Sequence, residues 1–200
     1  MYKILERYQN EIVINKSRFI SIMMPISNDS EVKDILKNLT KEFPKATHYC
    51  YAYRVSGKEK YSDDGEPSGT AGRPMLEFLS NNLLDNILVV VIRYFGGIKL
   101  GAGGLLRAYV DSCRSVYSVC KFYKVERHSL FEIIVDYKYY DALRNYLVSL
   151  EGNVVSTDYQ EKITINYLGP SLSNDDLMEI TNGNIKINSL GEKEVLIERK

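Results

Sequence analysis

The sequence predicts an α+β protein of two domains, residues 1–123 and 124–200, and three observations carry that expectation. The chain has 200 residues, enough for two domains of ordinary size. Its style changes near Tyr123: up to that point 17 Lys plus Arg face 13 Asp plus Glu, a net +4, and beyond it 9 face 13, a net −4. After the change the pattern is a compact β-α-β-β-α-β, the split βαβ plan of a ferredoxin-like domain.

From Tyr8 to Ile26, the run EIVINKSRFISIMMPI is rich in β-branched residues, and Asn15–Lys16 is a polar break suited to a turn between two strands. Residues 28–43 form an amphipathic helix, because Val32, Ile35, Leu36, Leu39 and Phe43 share one face at helical spacing. Asn28 and Glu31 make a capping pair at its start. His48 to Val55 alternates as a strand, with Tyr49, Tyr51 and Tyr53 on one side and His48, Cys50 and Ala52 on the other. A loop then leads to a short helix from Arg73 to Asn81, whose Pro74 is tolerated in the first turn. Ile87 to Phe95, ILVVVIRYF, is apolar on both faces until Arg93, as befits a strand central to a covered sheet. A helix runs from Gly101 or Gly104 to Lys121, with Leu106, Tyr109, Val110, Cys113, Val116, Tyr117 and Cys120 as its buried stripe.

In the second domain Phe131 to Tyr137 is the first strand, followed by a helix with Tyr140, Leu143, Leu147 and Leu150 on one face. Val154 to Tyr159 and Lys162 to Leu168 form a hairpin through Gln160–Glu161. A second helix covers Asn174 to Thr181, and Ile185 to Glu198 supplies the last strand or strands.

Composition removes several function classes. The chain is 44% hydrophobic and 26% charged, ordinary values for a soluble globular protein. Its longest aliphatic run, Ile87 to Ile92, is far short of the ~20 residues of a spanning helix, so no membrane partner is expected. The N-terminus has charges at Lys3, Glu6 and Arg7 and no apolar stretch, unlike a signal peptide. Cys50, Cys113 and Cys120 form no C-x-x-C pair and read as small core residues of a protein in a reducing cytoplasm. Zero net charge argues against bulk electrostatic capture of nucleic acid and leaves room only for a local basic patch.

Eight of the 13 glycines lie between Gly65 and Gly104, in two loops, 62-SDDGEPSGTAGRP-74 and 93-RYFGGIKLGAGGLLRAY-109. Such clusters mean backbone at positive φ, or something approaching the backbone closely. The second loop follows a buried strand and opens a helix, a setting in which free N–H groups and the helix dipole face an anion. The candidate anion- or nucleic-acid-binding residues are Arg93, Gly96, Gly97, Lys99, Gly101, Gly103, Gly104 and Arg107. In the structural reading the same glycines only let helix and strand pack closely. Neither a P-loop nor a dinucleotide fingerprint is present: Ala102 stands where the first needs Lys, and Leu106 where the second needs a third glycine.

The first loop offers Asp63, Asp64 and Glu66, a carboxylate cluster for Mg²⁺ held through water and a phosphate, or else an ordinary solvated turn. With Gly65, Ser68, Gly69 and Thr70 they make the candidate rim of the site. Pro67 and its small neighbours predict a rigid, close-fitting segment.

Arg107, Arg114 and Lys121 are spaced by sevens and return to nearly one helix face. That stripe tracks phosphates, or simply pairs with Asp111 within the helix. Tyr49, Tyr51 and Tyr53 are stacking platforms for bases or, the favoured reading, a half-buried sheet. Hydrolytic chemistry finds little support. There is no H-E-x-x-H, His48 and His128 are the only histidines, and Ser68 in GEPSG is not in a nucleophile elbow. His48 and Cys50 share a strand face, and with no third orienting group they read as a buried pair rather than an activated thiolate. No catalytic residue, metal or cofactor is expected.

Together the two glycine loops closely resemble the signature of the IMPACT/YigZ family. SDDGEPSGTAGRP followed by VVVIRYFGGIKLGAGGLLRAY looks like that signature almost residue for residue, the spacing between them fits, and HYCYAYR is similar to the segment before the first loop. The resemblance covers roughly Tyr2 to Lys121, and the second domain is similar to the small C-terminal domain of bacterial members. It implies a first domain of the ribosomal-protein type, similar to the fourth domain of elongation factor G, and a ferredoxin-like second domain similar to that factor's fifth. Eukaryotic IMPACT proteins regulate translation initiation under amino-acid starvation by competing for an activator of the initiation-factor kinase, and carry an additional N-terminal protein-binding domain. This sequence begins in the signature domain, and that partner is not expected of it.

The leading expectation is a cytoplasmic, non-catalytic, translation-associated regulatory protein. Its partner would be RNA, the ribosome or a translation factor, held by the second glycine loop with residues 63–70 shaping the rim. Two alternatives stand beside it. One is an enzyme acting on a nucleotide or phosphorylated small molecule, with Asp63, Asp64 and Glu66 positioning Mg²⁺. The other is a protein-interaction module without nucleic-acid binding, whose glycine loops are structural.

Overall fold

The structure, a computed structural model, describes residues 1–150 and 152–199. It divides into two units, Met1–Lys124 with the residues from Glu198 on, and Val125–Ile197. The chain of the first unit runs β1 (Tyr2–Lys3), β2 (Tyr8–Ile14), β3 (Ser17–Pro25), α1 (Glu31–Glu42), β4 (His48–Val55), β5 (Lys58–Ser62), α2 (Gly72–Asn81), β6 (Ile87–Tyr94) and α3 (Gly101–Tyr117). Strands two to six form one antiparallel sheet in the order β2-β3-β6-β4-β5.

The central position of β6 explains its composition. Leu88, Val90 and Ile92 pack in one core with Val32 and Leu39 of α1. Val89 and Val91 pack in the other with Met75 and Leu79 of α2 and Leu105 and Tyr109 of α3. A strand covered on both faces has no polar side to alternate with. The β2–β3 hairpin turns through Asn15 and Lys16, both at positive φ (46° and 64°), the two-residue geometry whose twist matches that of the strands.

Asn28 accepts from the Ser30 N–H at 3.0 Å, and Glu31 accepts from the N–H groups of Ser27 and Asn28 at 2.9 and 3.0 Å. The expected capping pair thus forms, although the regular helix begins only at Glu31. On α3 the stripe needs correction. Leu105, Ala108, Tyr109, Ser112, Cys113 and Val116 are buried, whereas Leu106 is 43% exposed. The helix ends at Tyr117, with Cys120 in the turn beyond it.

The chain continues through β7 (Tyr123–Val135), a 3-10 turn at Tyr137–Tyr139, α4 (Tyr140–Ser149), β8 (Asn153–Tyr159), β9 (Ile163–Gly169), α5 (Asn174–Thr181) and β10 (Ile185–Glu198), of which Val125–Ile197 make the second unit. The strand order is β8-β9-β7-β10. Ile133, Val135, Ile163, Ile165 and Tyr167 pack under Leu143 and Leu147 of α4 and Leu177 of α5. Strand β7 starts well before the expected Phe131: Tyr123 and Lys124, still in the first unit, pair with β1, and Ser129 to Val135 pair with β9 in the second. The stretch VERH between these pairings, three of its four residues polar, carries little strand signal of its own. Among the described residues no helix is long and apolar enough to cross a membrane.

Candidate functional site

The register of the first sheet aligns Phe19 of β3, Arg93 of β6 and His48 of β4 in one cross-strand row. The next row on this face is Ser21, Val91 and Cys50, and the one after it Met23, Val89 and Ala52. Arg93 is therefore the first charged residue on a face otherwise given to the α2 and α3 core, and it is only 4% exposed. A guanidinium buried to that extent needs a counter-ion. Glu66 supplies it, with Arg93 Nη1 donating to Glu66 Oε1 at 2.6 Å. The guanidinium also lies 5.4 Å from the ring centroids of both Phe19 and Phe95, and Nη2 is 3.4 Å from Ser17 Oγ. Arg93 Nε is buried without a partner.

Glu66 Oε1 accepts a second hydrogen bond, from Tyr109 Oη at 2.8 Å, and the Cys50 thiol donates to the same hydroxyl at 3.3 Å and to the Asp63 carbonyl at 3.0 Å. Burial pushes both the Cys50 thiol and the Tyr109 hydroxyl well above their ordinary pKa, so each remains a protonated donor. Cys50 is thus a hydrogen-bonded core thiol and not half of a thiolate–imidazole pair. His48 turns elsewhere. Its Nδ1 is 2.8 Å from the Asp64 carbonyl oxygen, and its Nε2 is 3.9 Å from Glu66 Oε2.

The first glycine loop is held by its own acids. Asp63 accepts from the backbone N–H of Gly69, Ala71 and Gly72 at 2.9, 3.0 and 2.8 Å, which satisfies the start of α2 from outside the helix. Asp64 accepts from the Tyr49 N–H at 2.6 Å. Thr70 donates to the Pro67 carbonyl at 2.6 Å. Gly72 runs close along Ser62, where a Cβ would lie 2.7 Å from its backbone. The expected rigidity of this segment follows from these bonds. The Mg²⁺ alternative for this loop finds its carboxylates occupied, Asp63 and Asp64 by backbone N–H groups and Glu66 by Arg93. Among the described residues no three His, Cys, Asp or Glu side chains converge to hold a metal.

The second loop folds over the end of β6. Gly96 lies against the Lys16–Ser17 backbone so closely that a Cβ would overlap it, and its N–H donates to Ser17 Oγ at 3.2 Å. Gly97 and Gly101 take φ of 83° and 69°. Helix α3 then starts without a capping side chain and without an acid in its first turn.

The two loops meet over a cleft of about 460 Å³, whose lining includes Thr47, His48, Glu66, Pro67, Arg93, Phe95, Lys99, Leu100, Gly101 and Leu105. Of the residues expected at the site, the fold brings Arg93, Lys99, Gly101 and Glu66 to this cleft. Gly96, Gly97, Gly103, Gly104 and Arg107 do not line it, nor do Asp63, Asp64, Gly65, Ser68, Gly69 and Thr70. Arg93, a candidate anion-binding residue from the sequence, lines this cleft with its charge paired to Glu66. Nothing in the sequence alone marks Thr47, Phe95 or Leu100 as lining residues, and Tyr109 reads there only as part of the helix stripe. A tyrosine on a buried stripe needs a partner for its hydroxyl, and that was the available signal.

Along α3, Arg114 pairs with Asp111 at 2.9 Å, so intrahelical pairing accounts for one of the three residues in the seven-spaced row. On β4, Tyr51 and Tyr53 stack at 6.4 Å and pack with Tyr49 against the α1 core, the half-buried sheet reading.

Comparison with known proteins places the same segment in a family. The Impact N-terminal domain matches residues 15–117. IMPACT family member YvyE of Bacillus subtilis (strain 168) is 37% identical over 189 residues, covering 91% of this chain and 87% of its own. IMPACT family member YigZ of Escherichia coli (strain K12) is 30% identical over 163 residues, 79% of this chain and 80% of its own. The crystal structure of a protein described as hypothetical aligns with a TM-score of 0.60 at 26% identity, over 96% of this chain and 98% of that one. With the match running from the β2–β3 turn to the end of α3 and both glycine loops inside it, this chain belongs to the IMPACT family.

Proposed function

We propose that this chain is a non-catalytic, translation-associated regulatory protein that binds RNA, free or on the ribosome, through the cleft where the two glycine loops meet. The observation that carries this reading is the make-up of the cleft. Lys99 and the uncapped first turn of α3 stand beside the exposed ring of Phe95, over a floor whose other full charges neutralise each other. An uncapped helix start offers N–H groups and partial positive charge to a phosphate. An exposed aromatic next to a lysine suits the bases and backbone of a single strand. Membership of the IMPACT family supplies the link to translation, since its eukaryotic members regulate initiation.

In this reading residues 1–123 are an IMPACT-type domain with a ribosomal-protein type of fold, similar to the fourth domain of elongation factor G. Residues 124–200 are a ferredoxin-like domain, which the element order and the β8-β9-β7-β10 strand order support. Three free thiols accord with a reducing cytoplasm.

The test is co-sedimentation with ribosomes and, separately, binding to single-stranded and hairpin RNA across a salt series, with a folded Lys99→Ala/Arg107→Ala variant beside the wild type. Expected is binding whose log K falls with log salt by roughly 0.7 per phosphate contact on single strands, and which drops in the variant. A wild-type protein that binds neither ribosomes nor RNA overturns the reading and leaves the protein-interaction alternative.

A further inference from the structure

We propose that the groove between α1 and the β4–β5 hairpin is a second binding site, which takes the phosphate group of a small phosphomonoester carrying a flat ring, a nucleoside monophosphate in kind. This goes beyond the RNA reading, because the groove lies on the opposite face of the sheet from the cleft. Tyr51 and Tyr53 of β4 pack on the α1 core, whereas Cys50 and Ala52 face the core under α2 and α3. The groove has a volume of about 300 Å³, and its lining includes Asp29, Lys33, Tyr51, Tyr53 and Lys60. Tyr53 is the residue that points to a ligand. It is only 6% exposed, yet its hydroxyl makes no hydrogen bond to the described residues and is not among the polar atoms sealed from solvent. The part of this side chain that solvent reaches therefore includes the hydroxyl, where Tyr53 lines the groove. A buried tyrosine usually finds a partner for its hydroxyl, and here the protein supplies none.

The groups around that hydroxyl select the ligand. Tyr51 lies parallel to Tyr53, within 4° at 6.4 Å, and its hydroxyl likewise has no partner among the described residues. Asp29, the one acid in the lining, is held by Lys58 at 2.8 Å. Lys33 and Lys60 are exposed and form no ion pair among the described residues. The groove thus keeps two uncompensated positive charges and two free hydroxyls, brought together from α1, β4 and β5. A phosphate monoester carries a charge of about −1.5 to −2 at pH 7 and three strong acceptor oxygens. A carboxylate offers one charge and two oxygens, a poorer match to that set. Val32 and Leu36 complete the lining with apolar surface, and with the half-buried ring of Tyr51 they suit the flat body of the ester.

The test is a backbone-amide NMR titration of the full chain with adenosine monophosphate, and with adenosine as control at matched ionic strength. The monophosphate is expected to shift the signals of Lys33, Tyr51, Tyr53 and Lys60 in a saturable way, and adenosine to bind there at least about tenfold more weakly. Tyr53→Phe removes only the unpartnered hydroxyl, and Lys60→Ala is an exposed change. Each is expected to weaken the monophosphate about tenfold, the scale of one hydrogen bond to a charged group. Shifts that adenosine reproduces, or no shifts at these residues, overturn the inference. So does an affinity that both variants keep. Shifts confined to Phe95, Lys99 and Gly101 also overturn it, since they place the nucleotide in the cleft and leave the RNA reading standing. Binding of 5′-phosphorylated and 5′-hydroxyl rU6 then separates the sources of the phosphate. A gain from the 5′-phosphate that Lys60→Ala abolishes assigns the site to an RNA end. Equal binding of the two, beside a bound monophosphate, assigns it to free nucleotides.

Discussion

Arg93 and Glu66 meet at 2.6 Å inside the first unit, and together with the Tyr109 hydroxyl on the same Glu66 oxygen that contact ties the two glycine loops together. Neither residue has a solvated alternative, so removing one partner leaves a buried charge uncompensated. Glu66→Gln is expected to destabilise the protein by about 3–5 kcal/mol, read as a lower midpoint of urea unfolding. Arg93→Met combined with Glu66→Gln is expected to lose less than the sum of the two single changes, because the orphaned charge is gone. Additive losses, or a Glu66→Gln cost under about 1 kcal/mol, would show that the pair is not what holds the loops.

Asp63 gives a second, independent test, because its carboxylate serves three backbone N–H groups at the start of α2. Asp63→Ala is expected to cost about 3 kcal/mol, the scale of a lost cap plus orphaned donors. Asp63→Asn keeps one acceptor oxygen and should cost markedly less. Both are read from thermal unfolding. Millimolar Mg²⁺ should leave the wild-type midpoint where it is, since these carboxylates are already occupied. A Mg²⁺-dependent rise lost in Asp63→Ala would reinstate the metal reading of this loop.

Sequence made the elements legible where burial is simple and local. Residues 87–92 announced a doubly covered strand because every side chain there is aliphatic, and Asn15–Lys16 announced its turn. The stripe of α3 was read one residue off, because its small members Ala108 and Ser112 carry no hydrophobic signal while exposed Leu106 does. Leu106 instead lines a surface groove with Phe78 and Tyr117. At the site, the spacing of glycines marked both loops, but the pairing of Glu66 with Arg93 across 27 residues depends on register and loop geometry. Charge type alone reads each as free. His48 shows the same limit: its strand face was legible, but its partners come from residues 64 and 66, fixed by how the first loop doubles back.

The thiols offer a test of the interior as a solvent. Burial raises the Cys50 and Cys113 pKa values, and that of half-buried Cys120 to about 12. The thiolate is the nucleophile, so a raised pKa leaves almost none of it at pH 8. Iodoacetamide at pH 8 is therefore expected to leave all three unmodified in the native protein over a period that labels them fully in urea, with mass spectrometry as the readout. Among the three, Cys120 should be labelled first as denaturant is added. Rapid native labelling of Cys50 would show that the Tyr109 and Glu66 network opens to solvent.

The glycines of the second loop divide by the reason each is glycine. At Gly96 a Cβ would overlap the Lys16–Ser17 backbone, and neither segment gives way without breaking the β2–β3 turn or the end of β6. Gly96→Ala is expected to lower stability by several kcal/mol, about the scale of severe overpacking. Gly103 is the opposite case. It lies in the first turn of α3, exposed, with nothing within 4 Å of a Cβ and no positive φ. A helical glycine in open space costs about 1 kcal/mol relative to alanine. Gly103→Ala should therefore raise the melting temperature. If the bare backbone there exists so that a phosphate can approach it, the same change should weaken RNA binding several-fold. A Gly103→Ala protein that is more stable and binds undiminished would remove the first turn of α3 from the binding surface and leave Lys99 and Phe95 to carry it.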